Sequence, residues 1–234
     1  MNKILYAFAL AGVLGLSSCS DFLDQNSPSE MTAENTYASP YYTNLRVNKL
    51  YGGMAQDRTY AQDLSIVWNL NSDCELIDGL GSNATNTSSE RGNMNYNMDP
   101  GWSKISGVWD AEYGIIEDAN QIIEGIRSSA TLTAGGANQK SMERSLGEAL
   151  TIRAMVYFDL VRIFGDIPFK VEASKSDLSN AYLEKTDRDV IMDFLMNDLD
   201  EAIEYLPWAD QATGYTTERT TKGYAHALLA QIAM

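Results

Sequence analysis

The chain has 234 residues, of which 44% are hydrophobic and 21% charged, and its formal net charge at pH 7 is −15. This length and composition are those of one folded globular domain, and they exclude a disordered, collagen-like or mucin-like chain. Because so acidic a surface repels nucleic acid and anionic lipid headgroups, we expect no nucleic-acid partner.

The first nineteen residues have the pattern of a bacterial lipoprotein leader. Lys3 supplies a positive charge, residues 4–16 form an apolar run, and two small residues precede Cys19. The run is shorter than the ~20 residues that a helix needs to cross the hydrocarbon core. We therefore predict that residues 1–18 are a cleaved signal peptide and that Cys19 carries the fatty-acyl chains of a membrane anchor.

The only other cysteine is Cys74, so no internal disulfide is expected once Cys19 is acylated. We interpret Cys74 as a partly buried small hydrophobic residue. Residues 19–40 are rich in Ser, Asp, Asn and Thr and contain two prolines, which indicates a tether between the lipid and the folded body.

Helical patterns begin directly after the tether. Apolar residues recur at helical spacing over residues 41–54, and residues 79–101, which are dominated by Gly, Asn, Ser and Thr, predict a long exposed loop. Four further amphipathic helices are predicted near residues 103–127, 140–164, 190–206 and 221–234. Thr186 and Asp189 have the spacing of a capping box at the start of the third of these helices.

This succession of helices predicts an all-α fold of tetratricopeptide-like helical hairpins with long irregular loops, because each pair must stack on another to bury its apolar face. The body occupies residues 41–234. Its last pattern reaches Met234 without a helix-ending residue, so we expect the helical domain to be truncated at its carboxyl end.

Three polar residues fall among apolar neighbours and predict buried bonds. Glu148 and Arg153 are expected to fix the register of their helix through such bonds. Asn120 is expected to cap or bridge helices through its amide, because an unpaired buried amide is costly.

Aromatic and amide side chains of the long loop are the candidate ligand-binding residues. Sugar rings stack on Trp or Tyr, while amides bond the sugar hydroxyls. Trp102, Tyr96 and Asn97 fit this description, and Trp68 is a further candidate. The alternative for Trp102 and Tyr96 is that they pin the loop to the helical body.

No catalytic, metal or cofactor site is expected. His226 is the only histidine, so a metal cluster or a histidine-based triad would have to be built around it alone. Carboxylates that could suggest a glycosidase pair are assigned to solvated helix faces. They are Glu117, Asp118, Asp198, Asp200, Glu201 and Glu204.

Three stretches resemble the SusD/RagB family of outer-membrane nutrient-binding lipoproteins. The first is WDAEY at residues 109–113, continuing to Ala119 and Asn120. The second and most specific is GEALTIRAMVYFDLVRIFGDIP at residues 147–168. The third combines RDV at residues 188–190, Asp198-Leu199 and TKG at residues 221–223, and SDFLD at residues 20–24 also fits the start of the family.

The resemblance implies a helical scaffold without enzymatic activity, lipid-anchored in the outer membrane and exposed at the cell surface. Such a scaffold binds glycan, or another nutrient oligomer such as a peptide, and delivers it to a SusC-like TonB-dependent transporter. Family members are much longer than this chain.

Two other classes of function stay open. The chain could be a structural lipoprotein scaffold that binds protein partners but no nutrient ligand. A secreted hydrolase is a third hypothesis, and it rests only on the abundance of carboxylates.

Overall fold

The computed structural model describes residues 32–69, 99, 101–211 and 218–234. The helices in these ranges are α1 (Ala33–Ala38), α2 (Pro40–Met54), α3 (Asp63–Asn69), α4 (Ser103–Arg127), α5 (Gly136–Phe164), α6 (Arg188–Tyr205) and α7 (Lys222–Ile232). A 3₁₀-helix, Ala130–Thr133, joins α4 to α5, and strands β1 (Ile167–Pro168) and β2 (Lys185–Thr186) form an antiparallel pair. The predicted all-α fold class is confirmed.

Helix α5 is the centre of the fold. Every residue from 145 to 154 is buried, and a helix with no exposed face must be surrounded by other elements. Helices α2, α4, α6 and α7 pack against it. The main hydrophobic core therefore lies around α5, as a stack of consecutive helices.

The break between α4 and α5 depends on two glycines. Gly135 and Gly136 have φ angles of 81° and 70°, in the left-handed region that only glycine adopts without strain. The side chain of Gln139 accepts a hydrogen bond from the amide of Gly135 at 2.9 Å, which caps the new helix. Helix α5 therefore begins at Gly136, before the predicted start at residue 140.

The amino-terminal helices differ from the prediction in two respects. Helix α1 lies inside the segment predicted as a tether, and its Tyr37 is buried against Gly125 of α4. Helix α2 was predicted, but Tyr42 and Leu45 are exposed although they fit the helical spacing. Nothing else in the described ranges covers that face of α2.

The predicted cap of α6 is wrong in one residue. Asp187, not Thr186, is the N-cap, and its side chain accepts a hydrogen bond from the amide of Asp189 at 2.8 Å. Thr186 is instead the partner of Ile167 in the β1–β2 pair. The predicted start of α7 near Thr221 is confirmed, because Thr221 caps that helix.

A second, smaller hydrophobic cluster joins α3 to the start of α4. It consists of Leu64, Val67, Trp102, Ile105 and Val108. This cluster packs the last turns of α3 against the first turns of α4. No helix in the described part of the chain has the length and apolar character needed to cross a bilayer.

Candidate functional site

A buried polar network holds three helices in register. Arg153 of α5 is 2% exposed, and its Nε and Nη2 donate to the two carboxylate oxygens of Asp198 on α6 at 2.8 and 2.9 Å. Its Nη1 donates to the Asn120 Oδ1 on α4 at 2.8 Å. The Asn120 amide in turn donates to the carbonyl oxygen of Lys170 at 2.9 Å. The predicted roles of Arg153 and Asn120 are confirmed.

The assignment of Asp198 to a solvated face is wrong. This carboxylate is 5% exposed and faces the α5 side of its helix, where it forms a bidentate pair with Arg153. The spacing of Asp198, Asp200 and Glu201 along α6 did not reveal this. The face of α6 that is buried depends on where the partner helix lies.

A second polar bond ties α2 and the start of α7 to α5. Glu148 is fully buried, and its Oε2 accepts from the Tyr51 hydroxyl at 2.7 Å and from Arg219 Nε at 2.9 Å. The Tyr51 hydroxyl also accepts from the Thr220 amide at 3.0 Å. The predicted buried bond of Glu148 is therefore confirmed, and its partners come from both ends of the described chain.

Trp102 is buried in the small cluster and is only 7% exposed. It precedes the first residue of α4 and packs with Val67 and Leu64 of α3. This burial supports the alternative that Trp102 pins the loop to the body, since little of its ring is open to a ligand. Ligand binding by Trp102 stays a prediction.

Trp68 is the exposed aromatic side chain at the same end of the body. It is 36% exposed, and the guanidinium of Arg162 lies 4.5 Å from the centre of its ring. Arg162 is held by Asp159, whose Oδ1 accepts at 2.7 Å. An aromatic face beside fixed guanidinium donors suits a sugar ring, because the face takes the C–H groups and the donors bind the hydroxyls.

Arg162 is the member of this site that sequence reasoning missed. The sequence did contain a signal for its local contacts, because Arg162 stands four residues after Phe158 and three after Asp159, which is the spacing of side-chain pairs on one helix face. Its contact with Trp68, however, joins residues far apart in the chain. Tyr96 and Asn97, together with Cys19 and Cys74, lie outside the described residues.

Buried acids lie behind Trp68 and Arg162. Tyr60 donates to Asp159 Oδ2 at 2.6 Å, and burial raises the pKa of both groups. Glu112 of α4 is fully buried, and neither of its carboxyl oxygens has a hydrogen-bond partner among the residues that the structure describes. Burial, with the nearby Asp159 charge second, raises the pKa of Glu112 to about 9. Glu112 is therefore a neutral acid at pH 7, and no substrate can reach it in this arrangement.

His226 lies on the surface of α7. It is exposed, and its ring stacks on Trp208 at a centroid distance of 5.7 Å. Over the described ranges, no group of three or more His, Cys, Asp or Glu side chains is arranged to hold a metal ion.

Comparisons with known proteins relate the chain to one family. The model of a SusD-like family, described as starch-binding and associating with the outer membrane, matches residues 21–234. SusD-like protein P2 from Formosa agariphila is 28% identical over 234 residues, which cover 99% of this chain and 43% of that protein. A SusD-like protein from Bacteroides ovatus is 26% identical over 55% of this chain and 22% of its own length.

Solved structures show the same fold. A SusD homolog from Bacteroides thetaiotaomicron has a TM-score of 0.75 and 24% identity, over 86% of this chain and 37% of that chain. A laminarin-binding SusD-like protein has a TM-score of 0.64 and 23% identity, over 82% and 39% of the two chains. The chain thus spans less than half the length of the relatives that it matches.

Replacing Asp198 by Asn should lower the free energy of unfolding by about 3 kcal/mol, because Arg153 would keep its buried charge without a carboxylate partner. Asp200→Asn is the matched control, since Asp200 is exposed on the same helix, and it should change stability by less than about 0.5 kcal/mol. Urea denaturation of both variants measures this difference. Equal stability of the two variants would contradict the role given to the pair.

Replacing Glu112 by Met should stabilise the chain increasingly as the pH rises. The folded-state pKa, about 9, exceeds the unfolded value of 4.5, so stability is lost as the pH rises through this window. Each pKa unit corresponds to about 1.4 kcal/mol, so the advantage of the variant should reach a few kcal/mol near pH 9.

Thermal midpoints measured from pH 5 to pH 9 test this expectation. Glu204→Met, at an exposed position of α6, is the control, and its thermal midpoint should change with pH in parallel with that of the unmodified chain. A gap between Glu112→Met and the unmodified chain that stays constant with pH would show that Glu112 does not keep its proton on folding.

Proposed function

Because the chain belongs to the SusD-like family, we propose that it is the amino-terminal part of an outer-membrane lipoprotein that binds glycan at the cell surface. The lipoprotein is anchored through Cys19 and delivers the glycan to a SusC-like TonB-dependent transporter. It performs no chemistry itself.

The family match over residues 21–234 carries this proposal. The laminarin-binding relative of the same fold supports a glycan as the ligand. Within the chain, the support comes from Trp68, whose exposed ring is braced by Arg162 next to the predicted loop. Bracing matters because a side chain that is already ordered loses less conformational entropy when a ligand binds.

The absence of chemistry is supported by the positions of three carboxyl groups in the described part of the chain. Asp198 is bound by Arg153, Glu117 is bound by Lys170 and Ser174, and Glu112 is enclosed. A glycosidase needs two carboxyl groups facing one bond of the substrate from both sides. Measurable glycan hydrolysis that a single carboxylate-to-amide change abolishes would refute this part of the proposal.

Delivery to a transporter rests on the family resemblance alone. Copurification of a barrel transporter with the lipoprotein from outer membranes is expected. Reproducible recovery of the lipoprotein without a transporter, under conditions that preserve membrane complexes, would count against it.

Replacing Trp68 by Ala should weaken glycan binding about tenfold, because the aromatic face and the support of Arg162 are both lost. Retardation in native gels that contain soluble starch or laminarin measures the binding. Trp208→Ala is the matched control, since Trp208 is 44% exposed but lies next to α7. Equal retardation of both variants would exclude Trp68, and no retardation of the unmodified chain would refute glycan binding.

Replacing Cys19 by Ser should abolish acylation and release the chain from the membrane fraction, because the thioether needs the cysteine sulfur. Mass spectrometry of the mature amino-terminal peptide and fractionation of expressing cells measure the two effects. Cys74→Ser, which removes the only other thiol, is the control and should leave both unchanged. An unmodified Cys19 thiol in the mature chain would refute the anchor.

A further inference from the structure

A cleft opens at the end of α4 opposite to Trp102. It has a volume of about 930 Å³ and lies between α1, the carboxyl-terminal end of α4 and residues 173–174. Pockets that take small ligands commonly have volumes of about 300–1,000 Å³. We refer to it as the α1 cleft, and its lining includes Glu34, Tyr37, Arg46, Gln121, Glu124 and Ser128.

The α1 cleft is shaped by close packing of α1 on α4. Tyr37 is buried, and its ring lies so close to Gly125 that a Cβ atom at that position would overlap it. Ser129 and Thr131 also attach the carboxyl-terminal end of α1, because their hydroxyls donate to the carbonyl oxygens of Tyr37 at 2.6 Å and Ala38 at 2.9 Å. The cleft is therefore a feature of packed helices.

The hydroxyl groups on one side of the cleft are oriented as acceptors. A serine or threonine hydroxyl has one proton and two lone pairs. In Ser129 and Thr131 the proton is used in the bonds to α1, and in Ser128 it is used in a bond to the Glu124 carbonyl oxygen at 2.9 Å. What these groups offer a ligand is lone pairs, which accept hydrogen bonds from ligand O–H or N–H groups.

The opposite side supplies donors in a fixed arrangement. Arg46 Nη2 donates to Gln121 Oε1 at 2.9 Å, and Gln121 Nε2 donates to Glu117 Oε1 at 3.0 Å. Glu117 is in turn bound by Lys170 Nζ at 2.8 Å and by the Ser174 amide at 2.9 Å. The guanidinium of Arg46 has five N–H donors, which is more than its bonds to Gln121 and Tyr37 use.

The carboxylates decide the charge of the ligand. Glu34 and Glu124 are exposed at the cleft, and Arg46 already lies beside Asp118 at 3.8 Å. An anion would meet two carboxylates and one cation that is partly neutralised, so anions are disfavoured. A neutral molecule with many hydroxyls finds acceptors on one side and donors on the other.

From these features we infer that the α1 cleft binds a neutral polyhydroxylated ligand, a sugar unit of a glycan, as a second site remote from Trp68. The inference rests on the proposed function, because a glycan at the cell surface is the source of such a unit. The two sites lie near opposite ends of α4, which at about 1.5 Å per residue is about 37 Å long.

Replacing Ser128 by Phe should weaken binding of glucose oligomers at the α1 cleft at least tenfold and leave the affinity of the Trp68 site unchanged, because the ring would fill the cleft. Ser106→Phe is the matched control. Ser106 is an exposed serine in the first turn of α4 whose hydroxyl also donates to a backbone carbonyl oxygen. Affinities for α-1,4- and β-1,3-linked glucose oligomers are measured by calorimetry, after matching thermal midpoints have shown that both variants fold.

A second measurement separates this inference from the proposed function. Titration of the unmodified chain with the same oligomers should shift the NMR signals of the Gly125 and Ser129 amides. Unchanged signals and equal affinity of both variants, with binding retained, would overturn the cleft and leave the proposed function intact. Unchanged signals together with no retention in starch or laminarin gels would refute the proposed function as well as the cleft.

The charge of the ligand is tested with glucosamine oligomers. These should bind no more than about twofold more tightly than the neutral oligomers. Preference for the charged oligomers by tenfold or more would assign the cleft to cationic ligands and overturn the inference.

Discussion

The fold depends on one buried ion pair, Arg153 with Asp198, and on its extension to Asn120. Removing two charges from water is costly, and attraction between them compensates only when the geometry is good and the remaining donors are satisfied. Both conditions hold, because the pair is bidentate and Asn120 accepts a further guanidinium N–H. Helices α4, α5 and α6 therefore have one relative register, since any slip would leave a buried charge unpaired.

This register sets the positions of the more exposed groups. Asn120 and Tyr157 both bond the carbonyl oxygen of Lys170, so the segment after β1 is attached to the same network. That segment continues to Ser174, at the wall of the α1 cleft. Near the carboxyl-terminal end of α5, Asp159 positions Arg162 under Trp68. A rigid interior thus supports two different surfaces, one aromatic and one hydroxyl-lined, at opposite ends of α4.

Polar groups in this interior are not equally satisfied. Arg153 and Glu148 are paired through several bonds, whereas Glu112 has no hydrogen-bond partner in the described ranges and keeps its proton at neutral pH. The difference follows from position, because burial disfavours the charged form of Glu112, and the nearby charge of Asp159 disfavours it further.

Elements whose causes are local could be predicted from the amino-acid sequence. Periodic apolar residues were sufficient to place α4 at residues 103–127, and Gly165 marked the end of α5. The motif at residues 147–168 was the most specific part of the resemblance to the SusD/RagB family. Which polar residue is paired and which aromatic ring is exposed depends on the packing of distant segments. Asp198 is buried because Arg153 faces it, Trp102 is buried by α3, and the α1 cleft exists because α1 packs on Gly125. These contacts join residues far apart in the chain, and no local pattern records which helix faces meet.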